Sequence, residues 1–108
     1  MSPEEEKVVG TWEFSEFAFK NRVVFHPDHT SEELYVRDSG AKIPSWAVRS
    51  RGTWKLEGDT IVTDEQPVLA PPRGEPPYPR RVVRTKILAF RPDELVREGN
   101  RSPFKRVK

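Results

Sequence analysis

Gly52-Thr53-Trp54-Lys55-Leu56-Glu57-Gly58-Asp59-Thr60-Ile61-Val62 decides the fold. In one line of text it spells a strand, a tight turn and a returning strand. From Trp46 to Leu56 the even positions Trp46, Val48, Gly52, Trp54 and Leu56 are apolar or small, with Ser50 as the exception. The odd positions Arg49, Arg51, Thr53 and Lys55 are polar. A period of two puts alternate side chains on opposite faces of a half-buried strand. Glu57-Gly58-Asp59 supplies the turn, and Thr60 to Glu65 returns. An earlier copy of Gly-Thr-Trp, at Gly10 to Trp12, repeats the opening of this unit. In both copies a conformationally free glycine precedes a large apolar anchor, which marks an antiparallel β-protein.

The flanking segments extend the pattern. Val8 to Phe14 reads as a first strand, with Val8, Gly10, Trp12 and Phe14 on one face. Phe17 and Phe19 fall on the opposite parity, and a bulge near Ser15-Glu16 would return them to the same face. Arg22 to His26 and Glu33 to Arg37 flank Pro27-Asp28-His29-Thr30, a hairpin in which Asp28 or His29 tolerates the left-handed conformation. Residues 38–44 read as a loop. Residues 67–79 hold six of the eleven prolines and are expected to form no ladder. Arg81 to Phe90 makes a long strand, Arg91-Pro92-Asp93 a turn, and Glu94 to Arg97 another strand. A turn over residues 99–102 precedes the closing segment, Pro103 to Val107.

No segment carries a sustained apolar stripe of period 3.6, so any helix is short. The expected fold class is all-β: one antiparallel up-and-down meander of seven to eight strands over residues 1–108, closed or nearly closed into a small barrel. Closure removes the exposed edges that a lone sheet of this size leaves open, and any edge that stays open would pair two copies into a dimer.

Composition bounds the rest. At 108 residues the chain fits one domain. A hydrophobic share of 34% is thin beside a charged share of 33%, so the core must rest on the three Trp and six Phe. With no cysteine, disulfides, thiolate metal sites and a Cys nucleophile are excluded. No apolar run approaches the roughly 20 residues of a membrane helix. The start, Met1 to Glu6, is acidic and lacks a signal peptide's apolar stretch, as in a cytoplasmic protein or an exported one whose signal has been removed. Residues 1–72 carry 8 Lys/Arg against 13 Asp/Glu (−5), and residues 73–108 carry 11 against 4 (+7). Such a basic half raises a polyanion-binding alternative. The favoured explanation is that neighbouring strands of opposite sign pair with each other.

Gly10-Thr11-Trp12-Glu13-Phe14, the Phe25-His26-Pro27-Asp28-His29-Thr30 turn, residues 52–63 and the closing run from Lys86 to Val107 resemble bacterial lipocalin-like (calycin-type) domains, many of them of unassigned activity. The resemblance covers nearly the whole chain outside residues 38–45 and 67–80. It implies a small barrel whose first Gly-x-Trp sits at the point of closure, with an arginine of the last strand packed across the indole. Trp12 and Arg106 match that pair by position, and the contact it implies is structural. Full lipocalins are longer, so a barrel of this length holds either a small cavity or a filled interior.

The chemistry-bearing groups are few. His26, Asp28 and His29 offer metal donors within four residues, but this spacing across a tight turn converges poorly, so no metal is expected. No Gly-x-Ser-x-Gly, phosphate loop or His-Glu-x-x-His is present, and no catalytic role is expected. Arg73 to Arg81 fits a PxxP ligand in both orientations, yet a proline-stiffened loop near one barrel end explains the same letters. Arg80, Arg81, Arg84, Lys86, Arg97, Arg101, Lys105, Arg106 and Lys108 would have to track a nucleic-acid backbone, with too few aromatics nearby for stacking, so nucleic acid is not the expected partner. The expected function is a non-enzymatic lipocalin-like binding or structural module without a cofactor. A small apolar ligand, if held, would be lined by Trp46, Trp54, Phe17 and Phe25.

Overall fold

The computed structural model describes residues 2–16, 19–36, 46–68, 79–99 and 102–107, and for Glu16 and Phe19 the backbone alone. The chain opens with a helix, α1 (Pro3–Val8). Eight strands follow: β1 (Gly10–Glu16), β2 (Phe19–Phe25), β3 (Thr30–Val36), β4 (Trp46–Glu57), β5 (Thr60–Pro67), β6 (Arg81–Arg91), β7 (Glu94–Arg97) and β8 (Phe104–Arg106). Each strand pairs antiparallel with the next, and β8 returns to β1, closing the barrel. The all-β, closed up-and-down architecture is the one the alternating pattern implies. No helix among the described residues is long and apolar enough to cross a membrane.

Three local details differ from the sequence reading. Val8 ends a helix instead of opening a strand. The Ser2 hydroxyl accepts from Glu5 N at 3.2 Å, and the Glu5 carboxylate accepts from Ser2 N at 3.3 Å, a capping box with Pro3 in the first turn. The parity slip after Phe14 is a hairpin, not a bulge, because β1 and β2 pair without interruption from Gly10↔Phe25 to Glu16↔Phe19. And Pro67 ends β5 opposite Ser50, which its missing N–H permits because Val68 N carries the next bond, to Arg49 O at 2.9 Å.

Bulges do occur, elsewhere. Glu33 faces Ser50 while Leu34 faces Val48, so Arg49 is an extra residue in β4. Ile87 faces Arg97 while Ala89 faces Val96, so Leu88 is extra in β6. Each insertion bends its strand and flips the parity beyond it.

The core gathers at the α1 end of the barrel: Val8, Trp12, Phe14, Val23, Phe25, Trp54, Ile61, Ile87, Leu95 and Phe104. Rings meet edge-on or tilted, Phe25 with Trp54 at 5.4 Å and Phe14 with Phe104 at 5.2 Å between centroids. Both buried indoles are satisfied: Trp12 Nε1 donates to Val8 O at 2.8 Å and Trp54 Nε1 to His26 O at 3.0 Å. At ~25 cal/mol per Å² and ~150–250 Å² per aromatic, each ring contributes about 4–6 kcal/mol of gross burial, which is how a thin apolar fraction suffices.

The two Gly-Thr-Trp glycines serve close approach. A Cβ on Gly52 would lie 1.9 Å from the carbonyl oxygen of Asp64 on β5. Gly10 has φ +136°, and a Cβ there would meet Arg106 Nη1 at 2.6 Å. That guanidinium fastens the barrel. It lies 4.1 Å over the Trp12 ring and donates to Pro92 O at 3.0 Å, Val9 O at 2.9 Å and Lys7 O at 2.9 Å.

Candidate functional site

Inward parity along the strands passes from aromatic at the α1 end to polar farther up. Asn21 on β2, Ser31 on β3, Ser50 on β4, Glu65 on β5 and Arg97 on β7 are all buried, at 1%, 6%, 1%, 7% and 3% exposure. With Phe14, Val23, Phe25, Ile61 and Phe104 as its apolar part, a cavity of about 210 Å³ is lined by Ser31, Ser50, Thr63, Glu65, Arg81, Val83, Thr85 and Arg97 among others. It is the volume of about seven waters at ~30 Å³ each. It exceeds the ~150 Å³ that admits a benzene and falls below the ~300 Å³ at which drug-sized pockets begin.

Arg97 is the most buried of the described charged groups. Its Nε and Nη2 both donate to the carbonyl of Ser102, the Nε at 2.9 Å. Its guanidinium carbon lies 4.2 Å from the centre of Phe104 and 5.0 Å from that of Phe14. Ser102 is itself clipped to β1, its Oγ accepting from Ser15 N at 3.0 Å and donating to Ser15 O at 2.7 Å. Glu65 accepts from Arg81 Nε, an arginine 51% exposed against 9% for the carboxylate side chain. Toward the far end, Glu33 accepts from Arg49 Nη1 at 3.2 Å, and the Arg49 guanidinium stands 5.4 Å from the Tyr35 ring.

The residues expected around a ligand divide. Phe25 lines the cavity. Trp54 lies in the core beneath it, between Phe25 and His29, whose ring centre is 5.1 Å away. Trp46 sits under the Arg22 guanidinium at 4.1 Å, and Arg22 belongs to the outer parity with its partner Glu13. The Arg49 bulge carries it there, by shifting every residue of β4 before Ser50 to the other face. Phe17 lies outside the described residues, as does residues 69–78 of the proline-rich segment, with most of the PxxP stretch.

The histidine pair diverges. His26 Nε2 meets Glu32 at 3.0 Å on β3, and His29 Nε2 meets Glu5 at 2.8 Å on α1. His29 has φ 68° at the turn, where Trp54 N donates to its carbonyl at 2.8 Å. The bond from His29 holds the Glu5 carboxyl below its ordinary value. No group of three or more His, Cys, Asp or Glu among the described residues is placed to hold a metal ion.

Four of the eleven basic residues of the second half pair with carboxylates of the acidic half. Arg80 pairs with Asp64, Arg81 with Glu65, Arg84 with Glu57 at 3.1 Å and Lys86 with Asp59 at 3.9 Å, all between β6 or its approach and the β4–β5 hairpin. Hydrogen bonds from Arg80 hold the Asp64 carboxyl low, and those from Lys55 and Arg84 do the same for Glu57. Arg97 is buried and Arg106 is stacked on Trp12, whereas Lys105 is exposed. Arg101 and Lys108 lie outside the described residues.

The interior polar residues escape a reading that looks only for apolar alternation. Ser50, the single break in the even positions of β4, was their one visible signal. Compared with models of known protein families, with curated proteins and with solved structures, the chain matches none.

Proposed function

We propose that this chain is a non-enzymatic, lipocalin-like binding module whose barrel interior takes one small amphipathic molecule, about the size of a single substituted ring. The closed eight-stranded barrel supports the reading, since at this strand number an interior is either filled or holds one small ligand. The observation that carries it is the cavity of about 210 Å³ walled by buried Glu65, Arg97, Ser31 and Ser50. A barrel serving stability alone gains nothing from these groups, because buried charge costs several kcal/mol per ion before pairing and apolar replacements are often neutral or better. Retaining a polar wall above an aromatic floor suits a ligand with an apolar body and a polar end. The volume excludes a long acyl chain lying fully inside.

The test is an amide NMR titration with single-ring compounds: benzyl alcohol, benzylamine and benzoate. At least one should bind saturably, with shifts centred on Ser31, Ser50, Thr63, Glu65 and Arg97. Ser50→Val, which adds bulk to the wall, should remove those shifts while the protein stays folded. No saturable shift with any of the three refutes the proposal, as does binding that Ser50→Val leaves intact.

A further inference from the structure

We infer that the polar end of the ligand is uncharged, a hydroxyl or a carbonyl, and that Ser31 and Ser50 receive it. This rests on the binding role proposed above and names the chemical class that the same cavity selects. Ser31 lies opposite Gly52 and Ser50 opposite Glu33, so the two serines stand diagonally on neighbouring strands. Such a diagonal separates residues by ~7–8 Å, within the span of one small ligand. Ser31 also faces Phe25 across β2 and β3, which sets a hydroxyl beside the aromatic floor. Both serines line the cavity at only 6% and 1% exposure, and neither hydroxyl bonds to another group among the described residues. The charged side chains of the wall are placed differently, because each is already engaged. Glu65 accepts from Arg81, Glu33 accepts from Arg49 at 3.2 Å, and Glu32 meets His26 at 3.0 Å and Arg51 at 3.6 Å. Arg97 directs Nε and Nη2 to the Ser102 carbonyl. An ionised ligand of either sign would therefore lose its hydration without meeting an uncommitted countercharge. An uncharged polar group loses far less, and one hydrogen bond offsets the loss. A serine hydroxyl both donates and accepts, so the pair suits an alcohol, which does both, or a carbonyl.

The experiment compares ligands that share a ring and differ in their polar end. Dissociation constants for benzyl alcohol, benzoate, benzylamine and toluene are measured by NMR titration at neutral pH, where benzoate is an anion and benzylamine a cation. Benzyl alcohol should bind about tenfold or more tighter than either ion. Ser31→Ala and Ser50→Ala, which remove one hydroxyl each, should each weaken benzyl alcohol about fivefold and leave toluene within about twofold. A serine that merely shapes the wall would move both ligands alike. If one alanine variant fails to fold, the other and the wild-type series decide. Benzoate or benzylamine binding as tightly as benzyl alcohol overturns this inference and leaves the binding role standing. So do alanine variants that bind benzyl alcohol unchanged or lose toluene equally. No binding by benzyl alcohol, benzoate or benzylamine overturns both.

Discussion

Replacing Arg106 by Met should loosen the whole domain, because one guanidinium joins the last strand to the helix and to the turn before β7. Met keeps most of the stem over Trp12 and removes the charge and the donors. Three hydrogen bonds are lost, to Pro92 O, Val9 O and Lys7 O, and two of the three acceptors sit at the C-terminal end of α1. Bonds to a charged donor reach ~1.5–3 kcal/mol each when buried, but those to Pro92 and Lys7 are exposed, so about 0.5–1 kcal/mol each is used. The half-buried bond to Val9 adds about 1 kcal/mol, and the cation–π contact at 4.1 Å adds ~0.5–1 kcal/mol. The total is about 3 kcal/mol, a substantial part of the ~5–15 kcal/mol that holds a domain together. At ~4 °C per kcal/mol for a domain of this size, Tm should fall by about 12 °C. Thermal unfolding followed by near-ultraviolet circular dichroism measures it, with Arg106→Lys as the companion. Lysine can reach one of the three carbonyls and should recover less than half of the loss. A fall of less than about 4 °C in Arg106→Met would refute the assignment of this residue as the fastener.

Gly52→Ala should cost at least the ~3 kcal/mol at the upper end of overpacking, since the new methyl meets the rigid backbone of β5 at Asp64; a urea midpoint equal to that of the parent chain would contradict this. Trp54→Ala should cost ~3–5 kcal/mol in urea unfolding and Trp46→Ala less than half as much, because the first is core and the second lies on the outer face under Arg22; equal losses would return Trp46 to the interior. The Glu5 carboxyl is held below its ordinary value of 4.5 by His29, so its contribution is complete above that value and disappears as pH falls through the lower folded one. Glu5→Gln, which cannot titrate, should therefore show a flatter loss of stability between about pH 5 and pH 3 than the parent chain, and parallel acid limbs would exclude the Glu5–His29 contact as their source.

The parts of the fold legible in the sequence are those where one rule acts alone. The β4–β5 hairpin was readable because its turn and its period of two coincide, and the two charge blocks foreshadowed the pairs of Arg84 with Glu57 and Lys86 with Asp59. Helix α1 was missed because six residues are too few to display a 3.6-residue stripe, although Ser2 and Glu5 spelled its cap. The site was harder. Trp46 looked like a neighbour of Trp54 only while β4 was taken as regular, and a one-residue insertion at Arg49 leaves no mark in an alternating pattern. Arg97 and Glu65 read as ordinary strand-end charges, since what makes them unusual is burial, and burial is decided by strands far away in the chain.

Barrel closure also bears on how the chain reaches this state. Among the described residues every strand pairs with its neighbour in sequence, and the β1–β8 ladder joins the two ends of the chain. That ladder is short, Trp12 opposite Arg106 and Glu13 opposite Lys105. Contacts distant in sequence pay their loop-closure entropy before they give anything back, so the hairpins are expected to nucleate folding and the ring to close after the transition state. In stopped-flow experiments Arg106→Met should then speed unfolding and leave the refolding rate almost untouched, whereas weakening the Glu57-Gly58-Asp59 turn should slow refolding. Under denaturant, such a barrel opens first where the two ends of the chain meet.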